Sequence, residues 1–119
     1  MVLVDGNNVM GSRPDGWWKD RAGAARHLVE QIGDWAARAD QDVLVIFDGA
    51  PPPAMPQPDR VEVRFASRRG PDAADDDIAE IVAAEEDPPF VVTSDADLAR
   101  RVREHGAEVA GARWLLDQL

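Results

Sequence analysis

Apolar positions along this chain fall into short runs and helical stripes, and several of the runs stop at an aspartate. Met1-Val2-Leu3-Val4 meets Asp5-Gly6-Asn7-Asn8, the pattern of a strand entering a tight polar turn. Gly11 to Asp20 mixes Gly, Pro and Asp and reads as loop, with Trp17 and Trp18 inside it. From Arg21 to Arg38, Ala25, Leu28, Val29, Ile32, Trp35 and Ala36 recur at helical spacing. Asp20 is placed to cap that helix. Val43 to Phe47 is a continuous apolar run that ends at Asp48-Gly49, as expected of a strand covered on both faces. Ala50 to Pro58 holds five prolines and must be irregular. Val61 to Phe65 alternates apolar and polar, the strand period.

Ser67 to Ala74 is a turn rich in Arg, Gly and Pro. A helix begins near Asp75, with Asp75, Asp76 and Asp77 favourably placed in its first turn. Its buried side is Ile78, Ile81, Val82 and Ala84, and Pro88-Pro89 ends it. Phe90-Val91-Val92 is a third apolar strand running into Thr93-Ser94-Asp95. The helix after it turns Leu98, Ala99 and Val102 inward, and Gly106 suits its left-handed terminus. Glu108-Val109 is a short last strand, and Ala112 to Leu119 a last helix packing through Trp114, Leu115 and Leu119. The order β-α-β-β-α-β-α-β-α predicts an α/β fold, a mainly parallel sheet with helices on both faces. A length of 119 residues suits one domain over 1–119.

Composition narrows the function by exclusion. The chain has no cysteine, which removes disulfides, thiolate zinc sites and a cysteine nucleophile. No run of about 18 apolar residues points to a membrane span, and the start lacks the build of a secretory signal, so the chain reads as cytoplasmic with no membrane partner. Neither G-x-x-x-x-G-K-[ST] nor G-x-G-x-x-G occurs, so no nucleotide cofactor is expected. The net charge of −10 counts against phosphate binding, which favours a basic face. Local basic groups (Arg64, Arg68 and Arg69; Lys19, Arg21 and Arg26; Arg100, Arg101 and Arg103) offset this in part, and bound cations would offset more.

The acidic strand ends carry the chemistry. Asp5, Asp48 and Asp95 follow three apolar strands, about 45 residues apart. In an open α/β sheet ligands bind beyond the carboxyl ends of the strands, so these residues should converge, with Asp75 and its neighbours beside them. Such carboxylates repel one another unless a hard cation, Mg²⁺ or Mn²⁺, accompanies them. Each aspartate alone has a plainer reading as turn former or helix cap. A haloacid-dehalogenase-type site needs a second aspartate two residues after the first, where this chain has Asn7. Trp17 and Trp18 read as a loop over the core or a partner surface, with base stacking as the alternative. Trp35 and Trp114 read as core, His27 and His105 as exposed, and Asp40 and Asp42 as solvated turn residues.

Val2-Leu3-Val4-Asp5-Gly6-Asn7-Asn8 resembles the opening motif of NYN domains, relatives of the PIN nucleases. Val45-Ile46-Phe47-Asp48-Gly49, Ala74-Asp75-Asp76-Asp77-Ile78 and Val92-Thr93-Ser94-Asp95-Ala96-Asp97 resemble the later motifs in the same order, and the nearest branch looks YacP-like. The resemblance implies a PIN-like, Rossmann-like sandwich of strand order 3-2-1-4-5 and a ribonuclease dependent on Mg²⁺ or Mn²⁺. It implies Asp5, Asp48, Asp75 and Asp95 as catalytic and metal-binding residues, with Asp97 a further metal ligand and Asp76 a less certain extra. Asn7, Asn8, Thr93, Ser94, Arg68 and Arg69 would contact RNA. The competing expectation is a non-catalytic RNA-processing or toxin-like module of the same fold that acts through a protein partner or a second copy of itself.

Overall fold

The computed structural model describes residues 1–119. Its elements in chain order are β1 (Val2–Asp5), α1 (Gly6–Gly11), a 3₁₀ turn (Trp17–Lys19), α2 (Arg21–Ala39), β2 (Val43–Phe47), β3 (Val61–Phe65), α3 (Ala73–Ala84), β4 (Phe90–Val92), α4 (Ala96–Glu104), β5 (Val109–Ala110) and α5 (Ala112–Leu116). The strands form one all-parallel sheet of order β3-β2-β1-β4-β5.

The period of two along the strands divides the core. Val2, Val4, Val43, Val45, Phe47 and Val92 face a cluster completed by α1, α2 and α5. Leu3, Leu44, Ile46 and Val91 face the opposite cluster, completed by α3 and α4. β1 is buried at all four positions and β2 at all five, whereas β3 alternates as an edge strand does. β2 and β3 are parallel yet joined without a helix. Their link is the proline-rich stretch, which crosses beside α2, where Arg26 donates to the carbonyl of Pro53 at 3.3 Å.

Two caps follow the sequence reading. Asp20 accepts from the backbone N–H of Gly23 at 2.9 Å and starts α2, and Gly106 adopts a left-handed φ of 88° after α4. Other expectations are corrected. The residues after Asp5 are not a tight turn but α1, because Val9 and Met10 are drawn into the core and the two asparagines bond to other strand ends rather than to their own turn. Part of the stretch read as loop is the 3₁₀ turn at Trp17. α3 begins at Ala73, before Asp75, and buries Ile78, Ala79 and Val82, leaving Ile81 at the margin and Ala84 exposed. α5 ends at Leu116, and Trp114 on it is 41% exposed, not core; its ring lies at the rim, 6.0 Å from Trp35 and 5.0 Å from Phe90.

No helix is long and apolar enough to cross a membrane.

Candidate active site

The strand order reverses beside β1, since the chain builds outward to β3 and then returns to lay β4 on the other side of β1. This is the position at which an open sheet leaves a crevice beyond its carboxyl ends. Asp5 is the last residue of β1 and is only 4% exposed. Its Oδ2 accepts from Thr93 Oγ1 at 2.9 Å, across the seam between β1 and β4. Burial raises the Asp5 carboxyl to about pH 6, the Thr93 hydroxyl and the Asn8 backbone N–H oppose the rise, and Asp48 and Asp95 add to it.

Gly6 explains how a helix starts directly behind a buried carboxylate. A Cβ at Gly6 would lie 2.6 Å from the Phe47 ring, so only glycine lets β1 turn into α1 there.

The other strand ends are tied to this one by side chains. Asn7 Oδ1 accepts from the Asp48 N–H at 2.7 Å and Asn8 Oδ1 from the Ser94 N–H at 2.7 Å, so adjacent asparagines of α1 hold the ends of β2 and β4. Asp48 Oδ1 accepts from the Ala74 N–H at 2.9 Å, capping α3 from a different strand. Asp72 holds the N-cap position of α3 in a left-handed conformation and gives no side-chain cap itself. Thr93 Oγ1 also accepts from the Asp95 N–H at 3.1 Å, and Asp95 Oδ1 caps α4 through the Leu98 N–H at 2.9 Å. Ser94 Oγ accepts from the Ala112 N–H at 2.7 Å and starts α5. The plain reading of Asp95 as a cap therefore holds, and the cap keeps its carboxylate next to Asp5.

Asp75, half-buried in the first turn of α3, completes the group. Its carboxyl is raised to about pH 7, first by burial and then by repulsion from Asp5, Asp95, Asp72 and Asp48. Asp5, Asp48, Asp75 and Asp95 thus share one electrostatic neighbourhood. Asp72 belongs to it as well and escaped the sequence reading; its only signal was its place directly before a helix start.

The remaining candidates are engaged in other contacts or exposed. Asp97 is exposed and paired with Arg100. Asp76 pairs with Arg101, and Asp77 accepts from both the N–H and the hydroxyl of Ser67. Arg68 and Arg69 are exposed on the β3–α3 connection, Arg68 paired with Glu80. Trp17 packs on the core edge-on to Trp18, which is 58% exposed.

No three acidic or histidine side chains are grouped closely enough to hold one ion between them alone. The donor set nevertheless fits a hard cation. It is all oxygen, its charges are uncompensated, and Mg²⁺ characteristically takes one or two carboxylates and fills its remaining positions with water and substrate phosphate.

A parallel sheet of order 3-2-1-4-5 with aspartates gathered beyond its carboxyl ends defines a Rossmann-like α/β domain. Within that class the chain belongs to the YacP-like NYN domain family, whose model matches residues 2–119. Two crystal structures of Rae1 (YacP) from Bacillus subtilis, one of them a tryptophan-to-leucine mutant, share this fold with a TM-score of 0.78 and 26% identity. Each match covers 98% of this chain and 71% or 72% of the Bacillus chain. No curated protein sequence matches the chain.

Proposed function

We propose that this chain is a ribonuclease dependent on Mg²⁺ or Mn²⁺ that hydrolyses RNA phosphodiester bonds at the cluster of Asp5, Asp48, Asp75 and Asp95. The observation that carries the reading is the buried Asp5 at the switch point of the sheet, with Asp48 and Asp95 close enough to resist its ionisation and Asp75 in turn repelled by all three. Membership of the YacP-like NYN family and the likeness to Rae1 support it.

The residues divide the work by position. Asp5 is fixed by the Thr93 hydroxyl, so its carboxylate is the reference point of the site. Asp48 is exposed and Asp75 and Asp95 are half-buried, which places them where solvent and a phosphate group can reach. Asn7 and Asn8 hold the backbone beneath these groups and so act by positioning. A bound divalent cation would supply Lewis acidity toward the phosphate and the attacking water. Asp5 and a neighbouring carboxylate would hold it, with water and phosphate in its remaining positions, and the other aspartates would orient the attacking water. Hydrolysis adds water across a P–O bond and leaves one phosphate end and one hydroxyl end.

The test is cleavage of a labelled oligoribonucleotide with Mn²⁺ or Mg²⁺. Wild type is expected to cleave, and EDTA or the double change Asp5→Asn with Asp95→Asn to abolish cleavage; retained activity in the double variant would sink the assignment. A second reading, a non-catalytic module that engages a protein partner, is favoured by the net charge of −10. It predicts no cleavage, no retention of RNA, and partner binding that is insensitive to divalent cations.

A further inference from the structure

Beside the carboxylate cluster lies a cleft of about 370 Å³ that shares Asn7 and Asp48 with it. Its volume falls at the lower end of small-ligand sites, roughly 300–1,000 Å³. The cleft runs between the starts of α1 and α2 and the ends of β2 and β3. Its floor is aromatic: Phe47 and Phe65 stack at 5.6 Å and 24°, and since Phe47 is only 2% exposed, the half-buried Phe65 and Pro52 are the apolar surfaces on offer.

Arg21 supplies the positive charge. It is the first residue of α2, and its guanidinium sits 5.3 Å over the Trp17 ring, which itself packs on the core. Arg21 makes no ion pair, whereas Arg64 and Arg68 at the same end of the sheet are matched by Glu62 and Glu80. A guanidinium suits a phosphate group, and an aromatic ring suits the face of any base.

We propose that this cleft binds an unpaired nucleotide next to the scissile phosphate of an RNA strand, its base against Phe65 and Pro52 and its phosphate on Arg21. The inference rests on the ribonuclease reading, because Asp48 is the shared wall through which the strand would continue. It adds a recognition rule: a base inside a duplex already has its faces covered by its neighbours, so only a single-stranded nucleotide presents a free face. The role that Arg68 and Arg69 were expected to play falls here to Arg21, with Trp17 as its support.

The experiment measures cleavage of a single-stranded oligoribonucleotide, and of the same strand in a duplex, by wild type, Arg21→Ala, Phe65→Leu and Arg38→Ala. Arg38 lies at the far end of α2, bonded to the Gln118 carbonyl. In parallel, the Trp17 indole N–H resonance is followed by NMR as the oligoribonucleotide is added. Arg21→Ala and Phe65→Leu are expected to raise KM for the single strand about ten-fold, within the range of one base stack, with kcat within about two-fold. Arg38→Ala should match wild type, the duplex should be cleaved poorly, and the Trp17 resonance should move. Cleavage by wild type with unchanged KM in both variants would overturn the cleft and leave the ribonuclease reading intact. A Trp17 shift that Arg21→Ala removes, without cleavage by wild type, would keep the cleft as an RNA site and overturn the ribonuclease reading. Neither shift nor cleavage would overturn both.

Discussion

Thr93 is the residue through which Asp5 and Asp95 are connected. Its hydroxyl donates to the Asp5 carboxylate and accepts from the Asp95 N–H, and it is 2% exposed. Thr93→Val keeps the shape and removes both bonds. It is expected to cost about 1–3 kcal/mol in denaturant unfolding, because a partly buried N–H and a buried carboxylate lose partners. A change below about 0.5 kcal/mol would mean that water replaces the hydroxyl.

The raised carboxyls give a sign to the pH dependence. Asp5 and Asp75 hold protons more tightly folded, at about pH 6 and about pH 7, than at the ordinary value of 3.8. Between about pH 4 and pH 7 the folded state therefore binds more protons than the unfolded state, and stability falls as pH rises. In metal-free protein Asp75→Asn should raise Tm at pH 8 and leave it nearly unchanged at pH 4. An equal effect at both pH values would contradict the electrostatic origin of the shift.

At the scale of elements, the junction of β1 and α1 is the critical joint. Gly6→Ala pushes a methyl into the Phe47 ring and should destabilise by about 1–3 kcal/mol, as overpacking of a core does. Activity should fall further than stability accounts for, since the same joint sets Asp5; CD melts beside cleavage rates check this. Parallel strands with both faces covered announce themselves as unbroken apolar runs, which is why β1, β2 and β4 could be read from the chain. α2 could be read from its long stripe and its cap. α1 could not, since its six residues carry two asparagines whose bonds run to other strands 41 and 86 residues away. The convergence of Asp5, Asp48, Asp75 and Asp95 was legible because a parallel sheet sends every strand end to the same side. Asp72 was not, because nothing local distinguishes it from any other residue before a helix start.

Across the whole molecule, an acidic chain has to attract a polyanion. Its net charge is −10, and the carboxylate cluster concentrates part of that charge at the proposed RNA site. Binding of divalent cations would remove the local repulsion, so RNA affinity should rise with Mn²⁺ and fall in EDTA. A basic nucleic-acid-binding surface behaves in the opposite way, losing affinity as counterions are added. Anisotropy of a labelled oligoribonucleotide with and without metal separates the two cases. Affinity that declines steadily with added Mn²⁺ would place RNA on another surface.

A divalent cation bound among the strand-end and helix-start aspartates, with water and phosphate completing its coordination, is central to the proposed reaction. The most direct measurement is a titration of Mn²⁺ against thermal stability, wild type beside Asp48→Asn and Asp75→Asn. A ligand that binds only the native state raises Tm with its concentration. The expected result is a rise of Tm with Mn²⁺ in wild type that is much reduced in each variant. An equal rise in all three proteins would put the cation elsewhere, and no rise in wild type would contradict the metal site itself.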